Sequence, residues 1–512
     1  MVCWEFEGEK KMDILNHLMQ GFATVLTPFN ILMAAVGCFF GTLVGILPGL
    51  GPSATIAMLI PLTFGMNATP AMIMMCAIYY GAMYGGSTTS ILLNVPGESA
   101  SVVTCIDGYQ MARQGRGGAA LGISAIGSFV AGILGTIGLM LICVPLAKFA
   151  LKFGPAEFFS LIVMGLLTIV YVGGKSISKS LMSGIIGMAL GTIGIDIIQG
   201  APRFVYDFPE LMDGVSFVTV VMGLFGIGEV LVSAEERLKI TPIHVKFKDL
   251  WPTVVEVWQC KWAILRGTAV GFFMGALPGS GATIASFVAY AVEKGVSKNP
   301  ERFGKGAIEG VAGPESANNA CTSGAMVHLL ALGIPGSGAT AVMLGALMLY
   351  GLKPGPMMFH TNPDFVWALI ASMFIGNVIL IFMNLPMIPL FAMGLRIPYR
   401  YLYPGILLIC IIGAYSLRSS AYDVWVMLVF GVIGYFMKKY DIPGAPMVIA
   451  LILGPMLEYN LYRALALSRG DMTVFFTRPI SATLLATAAI MTIAFSFKTV
   501  RIKRTMLEEK EE

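Results

Sequence analysis

GTLVGILPGLG, residues 41–51, returns as GFFMGALPGSG, residues 271–281. Gly41, Gly45, Leu47, Pro48, Gly49 and Gly51 recur as Gly271, Gly275, Leu277, Pro278, Gly279 and Gly281 at one constant spacing. Each copy is an apolar run that ends in Pro-Gly, which a continuous helix would not choose. Proline removes a backbone donor, and glycine frees the backbone. A second break follows each first one: LLNVPGESA at 92–100 and LALGIPGSGA at 330–339, centred on Pro96-Gly97 and Pro335-Gly336. Two breaks per half, set in apolar sequence, are the pattern of a membrane transporter built from internal repeats.

Composition agrees. Of the 512 residues, 56% are hydrophobic and 12% charged, with a mean hydropathy of +0.80. These values exclude an ordinary soluble protein. From Ile14 to Gly97 there is no Asp, Glu, Lys or Arg, a stretch that must cross or re-enter the membrane several times. The net charge of +4 is scattered through loops, so nucleic acid is excluded as a partner. The eight cysteines lie mostly in apolar runs without paired spacing, which argues against a disulfide framework or a zinc site. The N-terminus, MVCWEFEGEKKMD, is unlike the basic start of a cleaved signal peptide.

The reading is an all-α polytopic membrane protein with about 12 transmembrane or half-crossing elements. It falls into an N-terminal segment 1–20, a first transmembrane repeat 21–233, a linker 234–266, a second repeat 267–497 and a charged C-terminal tail 498–512. The first span is expected at about 21–45 and a short return helix at 53–66. Further spans are expected at 69–93, 118–147, 156–173, 180–195 and 214–232. Residues 98–117 read as a loop and 293–318 as a polar insertion, while 234–266 mixes charges with Trp251, Trp258 and Trp262 as interfacial anchors. In the second half, Pro386 and Pro389 are expected to kink a long span at 364–395. The basic residues Lys498, Arg501, Lys503 and Arg504 place the tail in the cytoplasm. Parallel and inverted repeats both remain open; analogy with other broken-helix transporters favours inverted ones.

Broken helices offer half-helix N-termini that attract anions and C-terminal carbonyls that hold cations. The candidate substrate-binding residues cluster at the breaks: Pro48, Gly49, Gly51 and Ser53; Asn94, Pro96 and Gly97; Pro278, Gly279, Ser280 and Gly281; Pro335, Gly336, Ser337 and Gly338. Small residues let backbone donors approach a carboxylate, and hydroxyls add neutral hydrogen bonds. GGSTTS (85–90) contributes Ser87, Thr88 and Thr89, although such hydroxyls also bond back to their own helix. The corresponding place in the second half reads as PESANNA, with Glu315, Asn318 and Asn319. A carboxylate beside two amides at an apolar boundary costs free energy unless it meets water or a partner, so Glu315 is a candidate for ion coupling; an interfacial loop cap is the competing reading.

Enzyme signatures fail on spacing. Gly173-Gly174-Lys175-Ser176 lacks the earlier glycine of a phosphate loop, since position 169 is Ile. No H-E-x-x-H occurs, and neither Gly-Ser-Gly triplet has the spacing of a nucleophile elbow. The other classes to weigh are a channel and an intramembrane hydrolase using Ser337 with His328.

The stretches 41–66, 79–122, 314–320 and 329–347 resemble the large membrane subunit of the tripartite tricarboxylate transporters, the TctA family. That resemblance implies a permease in a bacterial inner membrane that imports di- and tricarboxylates on a Na⁺ or H⁺ gradient, without ATP hydrolysis or another cofactor. It also implies two protein partners, a small four-span membrane subunit and an extracytoplasmic solute-binding protein. Acidic positions shared with the family pattern are Glu98, Asp107, Asp196, Glu229, Glu309 and Glu315, of which Glu98 and Asp107 join Glu315 as coupling candidates.

Overall fold

The computed structural model describes residues 11–47, 51–172, 176–196, 198–235, 250–277, 279, 281–387 and 399–493. One-turn helices aside, the first half contains α1 (Lys11–Val25), α2 (Pro28–Ile46), α3 (Pro52–Leu59), α4 (Ala68–Leu93), α5 (Val102–Arg113), α6 (Gly117–Ala150), α7 (Pro155–Val172), α8 (Ile177–Gly191) and α9 (Phe217–Glu235). The second contains α10 (Val254–Gly275), α11 (Gly281–Val296), α12 (Glu309–Leu332), α13 (Gly338–Leu349), α14 (Pro363–Asn384), α15 (Tyr399–Arg418), α16 (Ala421–Lys439), α17 (Ala445–Leu467) and α18 (Pro479–Ile493). A two-residue antiparallel ladder, β1 (Gly194–Ile195) with β2 (Pro202–Arg203), is the strand pairing among the described residues. Its turn is held by Asp196, which accepts from the N–H of Ile198 and Gln199; these bonds and Arg203 lower its carboxyl below the usual range.

The protein is a multi-pass membrane protein. Among the described residues, six helices are long and apolar enough to cross a bilayer: α2, α6, α9, α14, α16 and α17. Large apolar side chains face outward on the bundle, among them Leu141, Ile185, Phe273, Phe382 and Val429, as lipid contact requires. Proline at the first turn starts several helices, where its missing N–H costs nothing (Pro28, Pro52 and Pro363).

α4 and α12 form the centre, each buried along almost its whole length. Each packs against a helix carrying glycines at every fourth position. On α2, Gly37, Gly41 and Gly45 lie against the carbonyls of Met74, Ile78 and Ala82; on α10, Gly267, Gly271 and Gly275 lie against those of Gly313, Ala317 and Cys321. A Cβ at any of these six would sit 2.1 to 2.6 Å from the carbonyl oxygen, so backbones touch without side chains between them. The contacts advance in step along both helices, so α2 and α4 run parallel, as do α10 and α12. α3 and α11 are the return strokes. Residues 52–63 span about 18 Å at 1.5 Å per residue, roughly half a bilayer.

Several expectations need correction. The span drawn at 21–45 is two helices, because the chain turns at Leu26-Thr27 and restarts with Pro28 at the first turn. The expected loop 98–117 is mostly α5, whose Val103, Thr104, Asp107 and Met111 are buried. Within the expected linker, α10 already begins at Val254 with a reciprocal cap between Thr253 and Glu256; 236–249 lie outside the described residues. The expected insertion 293–318 ends in α12, so PESANNA is buried helix and no loop cap. α14 stops at Asn384 before Pro386, which sits in a turn, while Pro389 lies outside the described residues, as does the tail 498–512.

Candidate functional site

The second breaks of the two halves are built alike. α4 ends on Asn94 (φ 58°) and α12 on Gly333 (φ 71°), both left-handed, which frees the chain to double back. The next N–H turns back onto its helix, Val95 to the carbonyl of Thr89 and Ile334 to that of His328. Proline and glycine follow, then an extended residue that caps the next helical turn: Glu98 in the first half and Ser337 in the second. Each is reciprocally bonded with the residue three further on, Ser101 or Thr340. A Cβ on Gly97 would lie 2.0 Å from the carbonyl oxygen of Gly45, and one on Gly336 2.1 Å from the His328 ring. Close approach therefore requires both glycines.

The first break of each half meets the second break of the other. Ser53 on α3 touches Gly338, where an added Cβ would be 2.8 Å from the serine oxygen; Thr283 on α11 donates to Ser99 at 2.9 Å. Ser53 stands to Thr283 as Pro48 stands to Pro278, and Ser99 to Gly338 as Pro96 to Pro335. A third pair obeys the same relation. Asn318 donates to Glu98 at 3.0 Å, and Tyr79, its counterpart, lies 3.4 Å from Ser337. Glycines Gly51 and Gly281 border open space, since a Cβ there would meet no atom within 4 Å.

Between these breaks lies a buried polar cluster. Glu315 is 0% exposed and accepts from Ser87 at 2.5 Å and from Thr104. Asn318 bridges the carboxylate of Glu98 and the carbonyl of Met83; Asn319 donates to Ser128 at 2.7 Å. The side-chain oxygens of both asparagines have no partner among the described residues. Several other buried carboxylates carry basic partners, Glu157 with Arg478, Glu293 with Arg266, Asp423 with Arg418 and Glu229 with Lys438, while Asp107 is held by backbone N–H groups and a tyrosine. Glu98 and Glu315 have hydroxyl, amide and backbone donors instead. Two carboxylates so placed, without a base among the described residues, favour a cation or a proton beside them.

The remaining candidates separate by geometry. Both oxygens of Asp107 are engaged, one by the N–H groups of Gly304, Gly306 and Ala307 and the other by Tyr290, so this carboxylate pins the 304–307 turn. Thr89 bonds back to its own helix at Gly86, and Thr88 is buried in α4. The expected correspondence of GGSTTS with PESANNA is wrong. Gly85 and Gly324 make the same contact, on the carbonyls of Thr42 and Phe272, so GGSTTS matches 324–329 and meets Glu315 across the helix interface instead. Ser337 shares its hydroxyl with Thr340 and Tyr79 rather than with His328. Pro48, Gly49, Pro278 and Ser280 lie outside the described residues. Tyr79, Thr104 and Ser128 escaped the sequence reading, although Tyr79 is matched to Asn318 by the spacing that relates the second breaks.

Gly279 (φ 84°) ties the two breaks of the second half together, its N–H donating to the carbonyl of Gly336 at 2.8 Å. A Cβ there would stand 3.0 Å from Cα of Ile169. Gly279→Val opposes that backbone conformation at a cost of about 1–3 kcal/mol. Uptake is expected to fall at least about tenfold while the protein still inserts; initial uptake rates beside size-exclusion profiles of the extracted protein measure both. Near wild-type uptake would reduce the break to a packing feature.

A model of the tripartite tricarboxylate transporter TctA family matches residues 31–449. Two Agrobacterium vitis proteins are similar. The "uncharacterized 52.8 kDa protein in TAR-I ttuC' 3'region" is 46% identical over 493 residues, covering 96% of this chain and 98% of that protein. The "uncharacterized protein in TAR-II ttuC' 3'region" is 46% identical over 234 residues, 46% of this chain and 97% of that protein. No solved structure matches the chain.

Proposed function

The chain belongs to the tripartite tricarboxylate transporter TctA family, and we propose that it is the large permease subunit of a gradient-driven importer of organic di- or tricarboxylates. It works with a small four-span membrane subunit and an extracytoplasmic binding protein, in the inner membrane of a bacterium. Its two halves are inverted repeats. The reciprocal contacts Ser53–Gly338 and Thr283–Ser99 support a two-fold relation between the halves.

The observation that carries the reading is the pair of buried carboxylates, Glu98 at a break and held by Asn318, and Glu315 held by Ser87 and Thr104, neither with a basic partner among the described residues. An anionic solute approaching them is repelled unless a cation or proton arrives first. The unpartnered oxygens of Asn318 and Asn319 add neutral ligands for Na⁺. Charge compensation is thus the physical source of symport: solute and coupling ion each lower the cost of the other's entry.

The test is reconstitution. Proteoliposomes holding both membrane subunits should accumulate labelled citrate, tricarballylate or succinate once binding protein and an inward Na⁺ or H⁺ gradient are supplied, and little without either. Accumulation that follows ATP and ignores the gradients would overturn the reading.

A further inference from the structure

The two second breaks share a backbone but differ in what fills them. In the first half, the carboxylate of Glu98 folds onto the N–H groups of Ala100 and Ser101, capping its own helical turn, and the Asn318 amide holds it there. In the second half, the equivalent residue is Ser337, whose hydroxyl accepts the N–H of Thr340 alone. The N–H groups of Gly338 and Ala339, at the start of the twelve-residue α13, have no acceptor among the described residues. The Tyr79 hydroxyl replaces the Asn318 amide at the matching position.

A second observation points to a ligand there. His328 is 3% exposed, and its Nδ1 faces the carbonyl of Ala325 at 2.8 Å while its Nε2 has no partner among the described residues. That edge lies against the same break: a Cβ on Gly336 would be 2.3 Å from Nε2. Because Nδ1 donates its proton to that carbonyl, the neutral ring presents Nε2 as an acceptor, and a buried acceptor left unmet costs free energy that a bound donor recovers.

We propose that the start of α13 is the subsite for one carboxyl group of the transported solute, held by the N–H groups of Gly338 and Ala339 with Ser337 and Tyr79 around it, and that a proton carried in with the solute lies between this carboxyl and Nε2 of His328. The Glu98 carboxylate is the internal counterpart that shows the geometry, so one half fills with its own side chain what the other keeps for the solute. The inference rests on the carboxylate-permease reading above.

The experiment compares Ser337→Glu with its neutral isostere Ser337→Gln in proteoliposomes carrying the partner subunits, with labelled citrate, tricarballylate and succinate as probes. Glutamate at 337 should cap α13 as Glu98 caps its own turn and exclude the solute, lowering uptake about 100-fold, whereas glutamine lowers it at least tenfold less. Equal losses in the two variants, or wild-type uptake by Ser337→Glu, would overturn the subsite. Should Ser337→Glu fail to fold, Gly338→Pro against Gly338→Ala decides. Both add a Cβ beside Ser53, but only proline removes the N–H, at a first-turn position that its ring tolerates. An apparent KM at least about tenfold higher for proline than for alanine supports the subsite, and equal values overturn it. Wild-type vesicles that take up none of the probes under an imposed gradient overturn the permease reading itself, and the subsite with it.

Discussion

Asn318→Ala is expected to lower carboxylate uptake by about 10- to 100-fold with little change in the amount of folded protein. Among the described residues, the amide of Asn318 is the side-chain donor joining the buried Glu98 carboxylate to the central helix α12, and it also reaches the carbonyl of Met83. A hydrogen bond to a charged group contributes about 1.5–3 kcal/mol, or about one to two powers of ten in an equilibrium. Without that donor, Glu98 keeps its backbone cap, and Thr283 still holds Ser99, but the carboxylate loses its tie to the helix that carries Glu315. Packing suffers less. The alanine fits a helix interior, and the Gly271–Ala317 and Gly275–Cys321 contacts that seat α12 lie on neighbouring positions. Initial uptake rates, normalised to the monodisperse fraction on size exclusion, separate the two effects. Uptake within twofold of wild type would make Asn318 a packing residue.

The sequence carried the framework because close backbone packing and breaks both demand glycine and proline. Gly41 and Gly45, with their copies Gly271 and Gly275, are legible as a motif, and the structure rests each copy on the carbonyl equivalent to that of its original. Pro96 and Pro335 likewise mark breaks that fold alike. What stayed hidden was the partnership across helices. GGSTTS and PESANNA look like counterparts because both are polar insertions at similar distances from a break, yet their backbones occupy different positions and their side chains meet as partners. Polarity also misled at 98–117 and 309–318. A buried polar helix face carries the same residues as a solvated loop, and only its neighbours show which it is. Tyr79 was concealed in the opposite way, since a tyrosine in an apolar run reads as core until Ser337 is found beside it. Glu98 and Ser337 share a backbone role with different chemistry, so no comparison of residue types would pair them.

Glu315→Gln bears on coupling itself. The side chain is fully buried and its oxygens receive the hydroxyls of Ser87 and Thr104. Glutamine preserves the shape, and hydroxyls can donate to its oxygen and accept from its amide, so the variant should fold. What it removes is the charge that must be compensated before an anion can approach. Without that charge, the ion that compensates it no longer has to accompany the solute. The decisive measurement is therefore uptake rate against Na⁺ concentration and against pH, for wild type and Glu315→Gln in the same proteoliposomes. The account predicts that the variant's dependence on the coupling ion, whichever of the two it is, flattens or shifts by at least about tenfold in concentration. Curves superimposable on wild type in both titrations would contradict it.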